Sequence, residues 1–170
     1  KQLIRRIQTA MSLWKNGLVD PEQALQQAQD EDEAQAARVY RSYVATLSAY
    51  QAVDFDDLIR LPVELFRQNE EVRDKWQRRL RYLLVDEYQD INPVQQFLLE
   101  TLAGQRASVM VIGDADQTIY GFRGSEPAFI LHKFDERFAS PTLYPLSTSF
   151  RYGHAVALAA SALINHNLQR

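Results

Sequence analysis

The sequence predicts an α/β fold: a parallel sheet with flanking helices, incomplete, preceded by a helical segment. Two short runs carry that expectation. Tyr82-Leu83-Leu84-Val85 and Val109-Met110-Val111-Ile112 are apolar at every position or nearly so, the pattern of strands covered by helices on both faces. Each run leads into acids, Asp86-Glu87 after the first and Gly113-Asp114 after the second, with a helical pattern between them. Up to about residue 80 the apolar residues recur only at helical spacing, so the chain reads as helices first and strand–helix alternation second.

Composition narrows the function classes. A length of 170 residues suits one domain, or one domain with an appendage, and is enough to bury a core. The chain is 46% hydrophobic and 24% charged, as in ordinary globular proteins. Its formal net charge of −3 gives no overall basic footprint, so any contact with nucleic acid must be local. With no cysteine, disulfides and thiolate metal sites are excluded. No apolar run approaches the roughly 18 residues of a membrane span, and no signal peptide precedes the first helix; the expectation is a cytoplasmic protein without a membrane partner.

In chain order, Ile4, Ile7, Met11 and Trp14 mark a first helix that ends at Asn16-Gly17. Asp20 caps the next and Pro21 opens it. The following stretch begins polar and becomes amphipathic at Val39, Tyr43, Leu47 and Tyr50, with Asp30 to Glu33 either a solvated face or a loop between two shorter helices. In Val53-Asp54-Phe55-Asp56-Asp57-Leu58, Asp54 suits an N-cap and Asp56 and Asp57 a first turn, where the helix dipole favours negative charge; a metal cluster is the alternative use of three acids. Pro62 predicts a kink or break in that helix. Val72, Trp76 and Leu80 mark another, with Lys75, Arg78, Arg79 and Arg81 as a small basic face. After the first strand, Asn92-Pro93 starts a helix that Gly104 ends. After the second, Ser125-Glu126-Pro127 opens a helix with Phe129, Ile130 and Phe134 inward. Leu143 to Leu146 reads as a third, weaker strand interrupted by Pro145, and Val156 to Ile164 as the last helix.

The chemistry falls at the C-terminal ends of the strands, where open α/β sheets bind ligands. In nucleotide-hydrolysing sheets an acid at Asp86 holds Mg²⁺ on the phosphates and a second at Glu87 activates the attacking water; taken alone, Asp-Glu after a strand is more often an exposed acidic turn. The loop Gly113 to Gly124 carries Gln117, placed to hydrogen-bond a phosphate, and two aromatics, Tyr120 and Phe122, beside Arg123. Aromatics next to an arginine in a glycine-rich loop suit base stacking with a phosphate contact, while anchoring the loop on the core is the competing use. Arg151, after the third strand, is either a phosphate contact or a surface arginine.

Taken together, the three loops resemble those of the UvrD/Rep-type superfamily 1 DNA helicases. Leu84-Val85-Asp86-Glu87-Tyr88-Gln89-Asp90 is similar to helicase motif II. Val111-Ile112-Gly113-Asp114 through Gln117 and Ile119-Tyr120-Gly121-Phe122-Arg123-Gly124 resemble motif III, and Leu146 through Ser149-Phe150-Arg151 resembles motif IV. Val53 to Leu58 is similar to the segment in which these helicases return from an inserted helical subdomain. Motif II alone is moderately specific; all three in this order and spacing are highly specific.

The resemblance implies a RecA-like P-loop motor domain over residues 54–170, preceded by a helical segment of the inserted subdomain over residues 1–53. It implies Asp86 and Glu87 acting on Mg²⁺ and water, with ATP as the nucleotide. Gln117 would sense the γ-phosphate, Arg151 contact it, and Phe150 stack on the adenine, where relatives commonly carry Tyr. Tyr120, Phe122 and Arg123 would line the single-stranded DNA path, with Phe55 on its border and Phe122 standing where relatives usually have Trp. Gln89 and Asp90 would support the site. The implied activity is ATP-driven 3′-to-5′ translocation on single-stranded DNA with unwinding of duplex DNA.

One part that such chemistry needs is absent. A phosphate cradle of the form G-x-x-x-x-G-K-[ST] has no match, because none of the six glycines is followed by lysine. The family's second motor domain is absent too, and the chain begins at Lys1 within a helical pattern. The expectation is an internal fragment of a larger helicase, inactive alone, whose partner is the remainder of the helicase chain. The alternatives are a non-catalytic DNA-binding or interaction module that keeps the fold, and part of a helicase–nuclease subunit.

Overall fold

A computed structural model describes residues 2–138 and 140–167, with Arg123 described by its backbone alone. The first half is helical. Helix α1 (Gln2–Asn16) is followed by α2 (Pro21–Gln27) and α3 (Glu31–Ala49), so the polar stretch splits, as one of its two readings holds, into two helices. Each start is capped by the chemistry its sequence supplies. Asp20 accepts from Gln23 N at 2.8 Å and Gln23 Oε1 accepts from Asp20 N at 3.3 Å; Asp30 accepts from Glu33 N at 2.8 Å. After Gly17 the chain turns through a left-handed Leu18, φ 57°. Ala24, Ala37 and Tyr40 form the buried centre of this half, with Met11, Trp14, Val19, Leu25 and Val44 around it. Trp14 and Tyr40 stack at 5.8 Å between ring centroids.

Helices α4 (Asp57–Gln68) and α5 (Glu70–Arg79) lead to the sheet. Of the kink or break expected at Pro62, the break does not occur: α4 runs on through it and buries Val63 and Phe66. Strand β1 (Tyr82–Val85), helix α6 (Pro93–Ala103) and strand β2 (Ser108–Val111) then form a βαβ unit. The strands are parallel, with Tyr82 opposite Ser108 and Val85 opposite Val111. Asn92 and Gln95 form a capping box at the start of α6, and Gly104 ends it with φ 52°. A segment in π geometry, Phe129–Lys133, runs into the short helix α7 (Phe134–Arg137). The core of this half is Tyr88, Ile91, Leu99 and Phe129, joined by Leu83, Val85, Val109 and Val111 from one face of the sheet and by Ile130, Phe134 and Phe138.

Two expectations are corrected here. The strands are apolar on both faces, yet only one face is covered: Tyr82, Leu84 and Met110 point outward, Leu84 at 70% exposure. And Leu143 to Leu146 forms no strand; residues 141–150 have no regular structure, with Leu143, Tyr144 and Leu146 exposed. Pro145 removes a ladder donor from the middle of that run, and among the described residues no strand adds to the sheet beyond β1 and β2. Helix α8 (His154–Ile164) closes the described chain with no buried residue. No helix among the described residues is long and apolar enough to cross a membrane.

Candidate nucleotide and DNA site

The end of β1 builds the acidic corner. Asp86 and Glu87 are both exposed, and Asp86 Oδ1 accepts from the Glu87 N–H at 2.9 Å. Glu87 lies in the left-handed region, φ 51° and ψ 41°, a conformation that costs a non-glycine residue about 1–3 kcal/mol and clusters at functional sites. What holds it there is the backbone on both sides. Ile112 N donates to Val85 O at 2.8 Å and Tyr88 N donates to Ile112 O at 2.9 Å, so the ladder continues past both strands and turns the chain sharply at Glu87. Behind it Tyr88 is buried, donates to Gln96 Oε1 at 2.6 Å and meets Phe134 edge-on at 5.7 Å. Burial pushes the Tyr88 phenol up to about 12.

The ladder also sets the β2 loop against the acids. Gln89, 1% exposed, donates from Nε2 to Glu87 Oε2 at 2.7 Å and accepts at Oε1 from Asp114 N at 3.1 Å. Asp114 in turn takes Gln117 Nε2 on Oδ2 at 2.8 Å and Asp116 N on Oδ1 at 3.0 Å. Asp86, Glu87 and Gln117 are therefore brought to one edge and tied together by hydrogen bonds. Asp90 lies behind them: its carbonyl accepts from Ser125 Oγ at 2.8 Å, and its buried Oδ1 has no hydrogen-bond partner among the described residues.

The residues present suit a magnesium ion at the exposed acids. Asp86 and Glu87 offer hard oxygen donors, and among the described residues neither is paired with a cation. No group of three acids or histidines poised for a metal exists among those residues. Mg²⁺ does not need one, since it binds through one or two carboxylates and fills its shell with phosphate oxygens and water.

Downstream, Tyr120 and Phe122 stand 6.1 Å apart between ring centroids, tilted at 57°, with Phe122 on the outside. Gly124 follows at φ 82°, a left-handed turn that favours glycine. Arg123 contributes its backbone to the turn Gly121–Arg123; its side chain lies outside the described atoms. Phe122 lines a shallow cleft with Gln8, Thr9 and Ser12 of α1. A second cleft shares Gln8 and Ser12 and extends to Lys15, Tyr43, Asp54 and Asp56. Helix α1 thus lies between the Phe122 loop and the turn that carries Phe55.

That turn is a feature the sequence reading undervalued. Phe55 is 90% exposed, while the three acids around it are held inward. Lys15, 1% exposed, reaches Asp54 Oδ2 at 2.7 Å and Asp57 Oδ1 at 3.0 Å. Asn16 donates to Asp56 Oδ1 at 3.1 Å, and Asn92, the cap of α6, donates to Asn16 Oδ1 at 2.8 Å. Asp54 also accepts from Asp57 N at 2.9 Å and takes the Tyr43 hydroxyl at 3.1 Å. The cap position of α4, however, falls on Asp56, two residues after the expected Asp54, and the Asp56 side chain makes no cap bond. Burial works to raise the Asp54 pKa, but the bond and charge of Lys15 together with the Asp57 N–H outweigh it and hold the carboxyl below its ordinary value. Asp54 and Asp57 are ion-pair partners of Lys15, a use the local pattern did not show. The signal was a lysine four residues after Met11, in register with the apolar stripe of α1.

Phe150 and Arg151 are not brought to this edge. Phe150 is 94% exposed, and the contact made by Arg151 among the described residues is local, its N–H to Ser149 Oγ at 3.3 Å.

Residues 1–139 match the model of the UvrD/REP helicase N-terminal domain. The chain belongs to the UvrD/Rep helicase family. It is 41% identical over 167 residues to the ATP-dependent DNA helicase Rep of Salmonella typhimurium and, to the same extent, to Rep of Escherichia coli; 98% of this chain and 25% of each relative are covered. It is 37% identical over 166 residues to the ATP-dependent DNA helicase PcrA of Leuconostoc citreum, covering 98% of this chain and 22% of that relative. The chain spans about a quarter of the length of the curated relatives it matches.

Proposed function

We propose that this chain is the part of an ATP-dependent DNA helicase that carries its water-activating corner and one side of its single-strand path. Residues 54–170 then belong to a RecA-like motor domain and residues 1–53 to the inserted helical subdomain, the rest of the helicase supplying the phosphate loop and second motor domain. The observation that carries this is the edge at which Asp86 and Glu87 stand exposed beyond a parallel strand, hydrogen-bonded through Gln89 and Asp114 to Gln117.

Magnesium bound there would neutralise charge on the ATP phosphates. Asp86 is the residue that would hold it, and Glu87 the one that takes a proton from the attacking water. Gln117 meets the terminal phosphate, as does Arg151 once its segment is seated, and Phe150 flanks the adenine. Tyr120, Phe122 and Arg123, with Phe55 across α1, receive single-stranded DNA as the motor steps 3′ to 5′ and opens the duplex. We place this motor in the cytoplasm, as the sequence leads one to expect.

In the helicase that contains this chain, Glu87→Gln should lower DNA-stimulated ATP hydrolysis by about 10²–10⁴-fold, the scale of general-base catalysis. The isolated chain should hydrolyse no ATP, and hydrolysis by it that Glu87→Gln abolishes overturns the proposal. Phe122→Ala should weaken single-strand binding by about 1–3 kcal/mol, one base–aromatic stack. Unchanged affinity removes Phe122 from the path.

A further inference from the structure

We propose that Gln89 is a positioning residue that locks the Glu87 carboxylate to the Gln117 loop, so that water activation and the placement of the DNA-facing aromatics change together. The inference deepens the reading above and rests on it.

Gln89 is a buried amide used at both ends, donating to Glu87 Oε2 at 2.7 Å and accepting from Asp114 N at 3.1 Å. This orientation satisfies both neighbours; the flipped amide would aim its NH₂ at the Asp114 N–H and its oxygen at a carboxylate. A buried amide is kept where both of its ends are paired, and here the two partners lie on different strand ends. Glu87 follows β1 and Asp114 follows β2.

The contact is also fixed sterically. A Cβ on Gly113 would fall 2.6 Å from Gln89 Oε1 and 2.7 Å from Ile130 Cδ1, so a side chain there would push those two side-chain ends, the amide among them, out of their present places. Gly113 has no left-handed φ, and close approach is what its missing side chain provides. From Asp114 the bonds continue to Gln117 Nε2 at 2.8 Å and Asp116 N at 3.0 Å, and three residues after Gln117 the loop reaches Tyr120. Glu87, in its left-handed turn, has no other side-chain hydrogen bond from a described residue to fix its carboxylate. A shift of the Gln117 loop therefore acts on the general base through Gln89.

The test uses the full helicase that contains this chain. Gln89→Met keeps the shape and removes both bonds. It should lower kcat for DNA-stimulated ATP hydrolysis by about 10–100-fold, the cost of a misplaced catalytic group, with KM for ATP within about two-fold. The readout apart from activity is single-strand affinity, by fluorescence anisotropy of an oligothymidylate with and without a non-hydrolysable ATP analogue. The analogue should change the affinity of the wild-type protein and leave that of Gln89→Met unchanged, whereas a merely structural role would lower Tm and leave this response intact. Gln89→Glu keeps an acceptor for Asp114 and sets a carboxylate against Glu87, so it should lose kcat as Gln89→Met does; being identical in shape, it carries the comparison if Gln89→Met fails to fold. If Glu87→Gln abolishes hydrolysis while both Gln89 variants keep wild-type kcat and analogue response, the inference is overturned and the helicase reading stands. If Glu87→Gln leaves hydrolysis intact, the reading falls and takes this inference with it.

Discussion

The two halves of the molecule solve the burial problem differently. Around α1, α3 and α4 a charged network is enclosed: Lys15 is 1% exposed and meets two carboxylates, and Asn16 meets a third and the cap of α6. Around β1 and β2 the interior is apolar but half open, with Leu83, Val85, Val109 and Val111 covered and Tyr82, Leu84 and Met110 facing outward. A helix closes its own backbone bonds and needs one neighbour for its apolar stripe, whereas a parallel strand needs neighbours at both edges and cover on both faces. The helical half encloses its charged centre, and the sheet half leaves one apolar face of β1 and β2 outward.

The sharpest way to break that contrast is to remove the cation. A buried ion pair is weak evidence of net stability, but deleting one partner leaves the others charged and unpaired. Lys15→Met should cost about 3–5 kcal/mol by denaturant titration of the isolated chain, the scale for orphaning buried charge. A loss near zero means that the helical half is no more closed than the sheet half. Acid should act on the same spot. The Asp54 carboxyl is held below 3.8, so its contribution is present above that pH and is lost as pH falls through the lower folded value. Lys15→Met should flatten that acid limb.

A smaller effect compares one tyrosine from each half. Tyr40 and Tyr88 are both fully buried, Tyr40 donating to Val19 O at 3.2 Å and Tyr88 to Gln96 Oε1 at 2.6 Å, and burial is the leading cause that pushes each up to about 12 from 10. Each folded pKa is raised, so the stability is complete below pH 10 and is lost as pH rises towards about 12. Tyr40→Phe and Tyr88→Phe should each cost about 0.5–1.5 kcal/mol at neutral pH, one hydrogen bond, and each should flatten the alkaline limb. Circular dichroism between pH 9 and 12, on the scale of those shifts, checks this; an alkaline limb unchanged in both variants removes the tyrosines as its cause.

What the sequence made legible follows the same division. Helix starts at Asp20-Pro21 and Asn92-Pro93 were readable because cap and first turn are adjacent in sequence. The acidic corner and the Gln117 loop were readable because strand ends and motif order place them. The Lys15 clamp was not, since its partners lie 39 and 42 positions away and the three acids had a sufficient local explanation as caps. The supposed strand at Leu143–Leu146 was misread because apolar runs count as strands only when a neighbour supplies the ladder, and residues 141–150 have none among the described residues. Gln89 was assigned a supporting role, but its bridge to Asp114 depends on how β1 and β2 pair, which no local pattern encodes.

The outward face of the sheet gives the smallest effect and the cleanest comparison between the chain and its parent. Leu84 is 70% exposed, so Leu84→Thr, which retains strand propensity, should change the stability of the isolated chain by no more than about 0.5 kcal/mol, as at other surface positions. Leu84 is nonetheless part of a run that reads as covered on both sides. In the full helicase, where that pattern predicts cover on this face, the same substitution should cost about 1.5–3 kcal/mol, the transfer energy of a buried leucine. Denaturant midpoints of the two variants against their own wild types measure both values. A small cost in both settings would mean that the outer face stays open in the parent, and that apolar residues on both sides of β1 do not report helical cover.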